Sequence, residues 1–392
     1  MNAESAKQLA RQAIESHREQ LIGISHDLWA HPELCFEEVY AHQRLTDCLE
    51  QSGFAVERGA YGLPTAFRAE FGSGHGPTLA IVCEYDALPG IGHACGHNII
   101  AAAGIGAALG AQDVVEALDG KLVVLGTPAE EGGGGKVYMI ERGALDGIDA
   151  AMMVHPADQD LNAFWAIAIH ELQAEYRGLA AHAAAAPHLG RNALDAAVLG
   201  YMNVAALRQH IQSHERIHGV FTNGGDKANI VPAFASQQWY VRSGTSESLE
   251  ALKPRVIAAL QAGAIATGCD VSFQWAETSY QDLLLSSVLD QVYAANAFSL
   301  GRGVAPREEA PALMGSTDMG NISHRVPSLH PMIKAAPAGV AIHTEEFATH
   351  TAGPLGDSAV IDGALAMAFT AIDCWVNPQI VSDATSALKQ GS

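Results

Sequence analysis

The sequence predicts an α/β protein: a mixed sheet with helices on both faces, interrupted by a smaller α+β insert. Two patterns predict it. Three short apolar runs each end in a polar cluster, with helical segments between them, and a later stretch runs strand–helix–strand–strand–helix–strand. Fully buried strands read as continuous apolar runs, and parallel sheets bury their strands on both faces. Strand–helix alternation is the pattern of an α/β sheet.

Residues 3–30 read as one amphipathic helix, with Leu9, Ala13, Leu21, Ile24 and Leu28 near helical spacing. Thr78–Cys83 (TLAIVC) then runs into Glu84-Tyr85-Asp86, Lys121–Gly126 (KLVVLG) into Thr127-Pro128-Ala129-Glu130-Glu131, and Ala150–Val154 (AAMMV) into His155-Pro156. Helical segments lie between them, Ile99 to about Leu118 and about Lys136 to Arg142. Open α/β sheets gather ligand groups outside the carboxyl ends of their strands, so all three clusters point to one sheet edge. From about 168 to 280 the texture changes. Strands at Ile169–Arg177, Arg216–Thr222, Ala235–Arg242 and Cys269–Trp275, with helices at Asn192–Gln212 and Ser248–Gly263, give the βαββαβ order of a ferredoxin-like α+β domain. Helical stretches and apolar runs such as Ser358–Trp375 return in the tail. The predicted organisation is therefore one domain formed by 1–168 and 281–392, interrupted by a second at 169–280.

Composition narrows the function. Of 392 residues, 48% are hydrophobic and 17% charged, the balance of a chain with a large core. Against 22 Lys and Arg stand 43 Asp and Glu, a net charge of −21, so no basic stretch marks a nucleic-acid partner. The six cysteines are scattered with no Cys-x-x-Cys pair, and the first twenty residues lack the apolar core of a signal peptide. The longest apolar or glycine run, Ile99–Ala111, is thirteen residues, short of a membrane span. A cytoplasmic protein with no membrane partner is expected.

The chemistry concentrates in Gly92-His93-Ala94-Cys95-Gly96-His97-Asn98, just before a helix. Cys and His two apart can face one metal, and thiolate with imidazole suits zinc and its borderline neighbours. Alone, a Cys-x-His is more often a buried cysteine beside a satisfied histidine, and Glu130-Glu131, His155 or His343 alone would be ordinary polar positions. Convergence of Asp86, Glu130, Glu131 and His155 on one strand edge shifts that balance. Two adjacent carboxylates permit one to ligate while the other acts as general base. Gly132–Lys136 (GGGGK) lacks both the first glycine of a phosphate loop (Glu130 stands there) and its Ser/Thr (Val137), so it reads as a flexible turn into a helix. No Gly-x-Ser-x-Gly elbow is present.

Glu84–Pro89 (EYDALP), Cys95–Asn98 (CGHN), Thr127–Gly133 (TPAEEGG) and His31–Glu38 (HPELCFEE) together resemble the co-catalytic metallopeptidase family of aminoacylases and carboxypeptidase G. Within it they are most similar to the amidohydrolase branch of indole-acetyl-amino-acid and aminobenzoyl-glutamate hydrolases. CEYDALPGIGHACGHN and Gly315–His324 (GSTDMGNISH) look most like the subgroup of beta-alanyl-lysine and Xaa-Arg dipeptidases. The resemblance covers residues 20 to 375. It implies two divalent metal ions per subunit, Zn or Mn, with Co or Ni as alternatives. Cys95 bridges them, with His97, His155, Glu131 and His343 as the other ligands. Glu130 is implied as general base, and Asp86 as the carboxylate that orients a ligand. His93 is read as packing beside the site. In exopeptidase relatives a His-x-Asp stands where this chain has Glu84-Tyr85-Asp86.

The insert is implied to be a lid and dimerisation domain. Its His182 would reach the partner subunit's site and polarise the scissile carbonyl, while Asn229 and Arg242 bind the substrate carboxylate, the planar guanidinium suiting that role. The implied activity is hydrolysis of the amide bond of N-acyl or N-aroyl amino acids or dipeptides, with metal-bound hydroxide as nucleophile, in a homodimer. A strict dipeptidase is the alternative within the class. A catalytically silent metal-binding subunit is the alternative outside it, and six intact site residues argue against that.

Overall fold

The computed structural model describes residues 1–162, 164–306 and 315–391. The chain divides into two compact units, Met1–Trp165 with Leu283–Ser392, and Ala166–Asp282.

The first unit opens with three helices, α1 (Ala3–Ser16), α2 (Arg18–Ala30) and α3 (Val39–Gln51). The single helix expected over 3–30 is thus two. At His17 the backbone leaves helical values (φ −97°, ψ 4°), so each half sets its own apolar stripe. Ala6, Ala10 and Ile14 are buried on α1, leaving Leu9 40% exposed.

Next come β1 (Ala55–Arg58), β2 (Phe67–Phe71), β3 (Thr78–Glu84), α4 (His97–Val115), β4 (Lys121–Thr127), α5 (Gly135–Glu141), β5 (Ala150–Met152) and β6 (His155–Ala157). In the main sheet, β4, β3 and β5 run parallel; on one side β2 pairs antiparallel with β4, and β1 antiparallel with β2. The move from β3 to β4 and the return past β3 to β5 run in opposite directions. Right-handed crossovers therefore put α4 and α5 on opposite faces.

The second unit holds β7 (Ala168–Arg177), α6 (Ala193–Leu207), β8 (Arg216–Asn223), β9 (Phe234–Ser243), α7 (Ser246–Thr267) and β10 (Asp270–Tyr280). Its antiparallel sheet has the order β10-β7-β9-β8, the ferredoxin-like arrangement that the βαββαβ order predicts. The core lies between this sheet and α6 and α7, around Tyr176, Trp239, Val256 and Leu260.

The chain then completes the first unit with α8 (Ser287–Ser299), α9 (Met319–Ser323), β11 (Ser328–Leu329), β12 (Met332–Lys334), α10 (Glu345–His350), α11 (Pro354–Val376) and α12 (Gln379–Gly391). β11 joins the main sheet parallel to β5, and β12 pairs with β6 in a separate two-stranded ribbon. His155, which follows the third apolar run, therefore opens a strand of its own.

The apolar run Ile99–Ala111 is the middle of α4, which packs on β3 and β4 and against α1, α2 and α11. By length and composition alone α4 with its following turn (His97–Leu118) and α11 could cross a membrane, but 89% and 83% of their apolar windows are buried inside the fold. Glycines permit the close packing: a Cβ at Gly104 would fall 2.4 Å from Cys83 Sγ, and one at Gly110 2.5 Å from Ile14 Cδ1. α6 and α7 approach as closely, a Cβ at Gly263 falling 2.3 Å from the Ala196 carbonyl oxygen and 2.6 Å from Gly200 N. Backbone cannot yield there as a flexible side chain would. Gly263→Ala is expected to destabilise the protein by about 2 kcal/mol by overpacking, despite alanine's better helix propensity. Thermal or urea unfolding checks this; an unchanged or raised midpoint would show that the two helices can separate without penalty.

Candidate metal centre

Because β3, β4 and β5 are parallel, Glu84 with Asp86, Glu130 with Glu131, and the approach to His155 all emerge at one edge of the sheet. Cys95 and His97 reach the same edge from the start of α4. Gly96 between them has φ +79°, and a Cβ there would fall 2.8 Å from Pro156 Cγ, so only glycine lets the chain turn from Cys95 into the helix at that point. His343 comes from the loop before α10, with φ +63°, a left-handed conformation costly for a residue with a side chain. Its N–H donates to the Ala94 carbonyl at 2.8 Å, which ties the loop to the cysteine segment.

Among the described residues, ligand atoms cluster within 4.8 Å of one another in four groups: Cys95–His97–His155, Cys95–Glu131–His343, His97–Glu130–Glu131 and Glu84–Glu130–Asp318. Cys95 belongs to the first two. Its Sγ lies 3.5 Å from His155 Nε2 and 3.3 Å from His343 Nε2. Two ligands on a tetrahedral ion with Zn–S about 2.3 Å and Zn–N about 2.0–2.1 Å stand about 3.5 Å apart. His97 Nε2 and Glu131 Oε1, 3.8 Å apart, are buried atoms with no hydrogen-bond partner among the described residues. Buried polar atoms left in this way are rare and point to a further ligand. Thiolate, imidazole and carboxylate together form a donor set that fits borderline divalent cations.

Asp86 sits behind the ligands. Its Oδ1 lies 3.0 Å from His97 Nδ1 and its Oδ2 accepts the Glu131 N–H at 2.9 Å, so one carboxylate orients two candidate ligands. Burial opposes its ionisation, but His97 and the Glu131 N–H outweigh that and hold it at about 2. Burial also opposes charge on His97, and Cys95 and Asp86 beside it push its pKa well up regardless. Burial raises the Cys95 thiol, with Glu131 adding to it. Glu130 is held well above the ordinary carboxylate range, first by burial and then by the neighbouring Glu84, Glu131 and Asp318. Burial and His97 lower His93 to about 3, and burial with His330 lowers His155 to about 3.

Several contributors escaped the sequence reading. Glu38 accepts from the backbone N–H groups of Phe36 and Ala129, each at 2.9 Å, and fixes the loop carrying Glu130. Asp318 and Lys136 adjoin Glu84. His330 stacks on His155 with ring centroids 5.5 Å apart, and neither of its buried nitrogens has a hydrogen-bond partner among the described residues. The signal for His330 was present, since Ser328-Leu329-His330-Pro331 repeats the apolar-then-His-Pro pattern of Val154-His155-Pro156.

In the second unit the structure joins two of the three expected residues. The Ala183 N–H donates to the Asn229 carbonyl at 3.0 Å, and His182 pairs with Ile230. His182 Nδ1 accepts from the N–H groups of Ala184 and Ala185, at 3.2 and 3.1 Å, which leaves Nε2–H as an exposed donor. Arg242 is not at that corner. It lies at the opposite end of β9, about 26 Å along the strand at 3.3 Å per residue.

Residues 80–356 match the profile of Peptidase family M20/M25/M40. The chain is 37% identical to the Xaa-Arg dipeptidase of Mus musculus over 98% of its own length and 93% of the mouse protein's. It belongs to the M20 peptidase family. As an M20 protein it is a hydrolase acting on amide or peptide bonds. It is also 36% identical to a p-aminobenzoyl-glutamate hydrolase subunit of Escherichia coli, over 68% of this chain and 60% of that one. The structure of the Bacillus subtilis YXEP protein, a dinuclear metal binding peptidase from the M20 family, matches the fold with a TM-score of 0.70. Identity there is 20%, covering 92% of this chain and 98% of the other.

Asp86→Asn is expected to weaken divalent-metal binding by about 10- to 100-fold, since it disturbs the orientation of both His97 and Glu131. Titration of Mn²⁺ or Zn²⁺ into metal-stripped protein measures this, and wild-type affinity would remove Asp86 from the positioning of the ligands.

Proposed function

We propose that this protein hydrolyses the amide bond of N-acyl amino acids or dipeptides at a centre of two divalent cations, Zn²⁺ or Mn²⁺, with Co²⁺ or Ni²⁺ as alternatives. The observation that carries the reading is the sharing of Cys95 between two ligand groups, Cys95–His97–His155 and Cys95–Glu131–His343. Cations held there supply Lewis acidity, polarising a carbonyl and making water a competent nucleophile near neutral pH. Glu130 then manages protons. Its raised pKa suits a group that takes a proton from attacking water and returns it to the departing nitrogen.

His182 and Asn229 serve the site of a second copy in this reading, and Arg242 receives the substrate carboxylate. The separation of the His182–Asn229 corner from Arg242 supports two different destinations. His182 Nε2–H, its tautomer held by two backbone donors, suits hydrogen bonding to a scissile carbonyl. The apolar surface of Ala166–Asp282 supports a homodimer through that unit. Val198, Leu199 and Met202 on α6 and Val220 and Phe221 on the edge strand β8 are exposed. The protein is proposed to work in the cytoplasm.

Between substrate classes, the mouse relative, an Xaa-Arg dipeptidase matched over nearly the whole chain, favours dipeptides. The net charge of −21 also favours the approach of a cationic substrate. The E. coli aminobenzoyl-glutamate hydrolase subunit keeps acyl-amino acids as the second reading.

Metal-stripped protein is expected to be inactive on a panel of dipeptides and N-acyl amino acids and to regain amine release with Mn²⁺, Zn²⁺ or Co²⁺. Glu130→Gln is expected to lower kcat by at least 10³-fold while metal content stays at the wild-type level. Near-wild-type turnover in that variant would remove Glu130 as the base. Metal-independent turnover would overturn the proposal itself.

A further inference from the structure

The glycine run before α5 delivers one residue the proposed chemistry does not use. Gly134 has φ +69°, and a Cβ at Gly135 would fall 1.9 Å from the Pro128 carbonyl oxygen, so the chain turns hard against itself there and drives Lys136 inward. The Lys136 side chain is wholly buried. Its Nζ lies 2.6 Å from Glu84 Oε1 and 2.6 Å from Asp318 Oδ1, and its backbone N–H donates to Asp318 Oδ2 at 3.1 Å. The ammonium thus sits on two of the three carboxylates of the Glu84–Glu130–Asp318 group.

Glu84 has a second oxygen, and its surroundings give Lys136 a purpose. Glu84 Oε2 lies 3.4 Å from His97 Nε2, both atoms are buried, and neither has a hydrogen-bond partner among the described residues. The other ring nitrogen of His97 is already committed to Asp86. A slightly closer Glu84 would accept a hydrogen bond from Nε2–H, and a nitrogen that carries a proton cannot bind a metal. The geometry points to Lys136 as a positioning residue: a built-in cation that holds Glu84 by Oε1 and so leaves His97 Nε2 available to metal. This rests on the reading of His97 as a ligand. It also gives Glu84 a defined role beside the metal centre rather than in it.

The test is calorimetric titration of Mn²⁺ into metal-stripped protein, comparing wild type with Lys136→Met, Glu84→Gln, Glu84→Gln/Lys136→Met and His97→Ala. Lys136→Met is expected to weaken metal binding at least tenfold. The double variant, which removes the competing carboxylate together with its clamp, is expected within threefold of wild type. A Lys136→Met protein that binds metal as wild type does would overturn the proposal, as would a double variant as weak as Lys136→Met. If Lys136→Met does not fold, Glu84→Gln decides. Near-wild-type affinity supports a competitor held at bay, whereas a loss as large as that of His97→Ala makes Glu84 itself a ligand and overturns the inference. Unimpaired binding in His97→Ala would instead defeat the ligand reading beneath it.

Discussion

Crowding of anionic groups at one edge of a buried sheet is the constraint on which this structure turns. Glu84, Asp86, Glu130, Glu131, Asp318 and the Cys95 thiol meet there almost wholly out of water. Like charges brought together without solvent either take up protons or acquire cations. Both responses are visible. Burial and repulsion keep Glu130 and Asp318 above the ordinary carboxylate range, Asp318 at about 6, whereas Lys136 and His97 hold Glu84 below it against the effect of burial. The donor groups around Cys95 contain no Lys or Arg among the described residues, and their thiol, imidazoles and carboxylate suit a cation from outside.

The fold serves that edge in ordinary ways. Parallel register ends β3 and β4 together, Glu84 opposite Thr127, so the carboxylates that follow them must meet. α4 starts at the same edge, and its glycines bring it close enough to the sheet and to α1 that its first turn is held by the largest core in the molecule. Rigid packing beneath and a left-handed residue at His343 above place the donors in advance, the arrangement expected where binding requires preorganisation.

Much of this was legible from the chain, and the reasons are specific. An apolar run that stops abruptly in carboxylates is a strand ending at a site, so Asp86, Glu130 and Glu131 were readable. Cys95-Gly96-His97 was readable because two metal-type donors flank a glycine at a helix start. The alternating strands of the second unit fixed its βαββαβ order. Pairings across long sequence distances were not readable. Nothing local links Glu84 to Lys136 or Asp318, and the GGGGK turn carries its meaning in the direction it aims one side chain. The break at His17 was hidden because Leu9, Ala13 and Leu21 keep a helical period across it. The distance between Asn229 and Arg242 was not readable either: Asn229 precedes β9, and Arg242 lies near the far end of that strand.

The central claim is that one thiolate, Cys95, serves two metal positions at once. Its most direct test is to count divalent ions per chain, with the affinity of each, in wild type and in Cys95→Ala under saturating Mn²⁺ or Zn²⁺. The structure predicts two ions in the wild type and loss or at least tenfold weakening of both together in the variant. One ion retained at wild-type affinity would show that the two positions do not share Cys95, and would contradict the account.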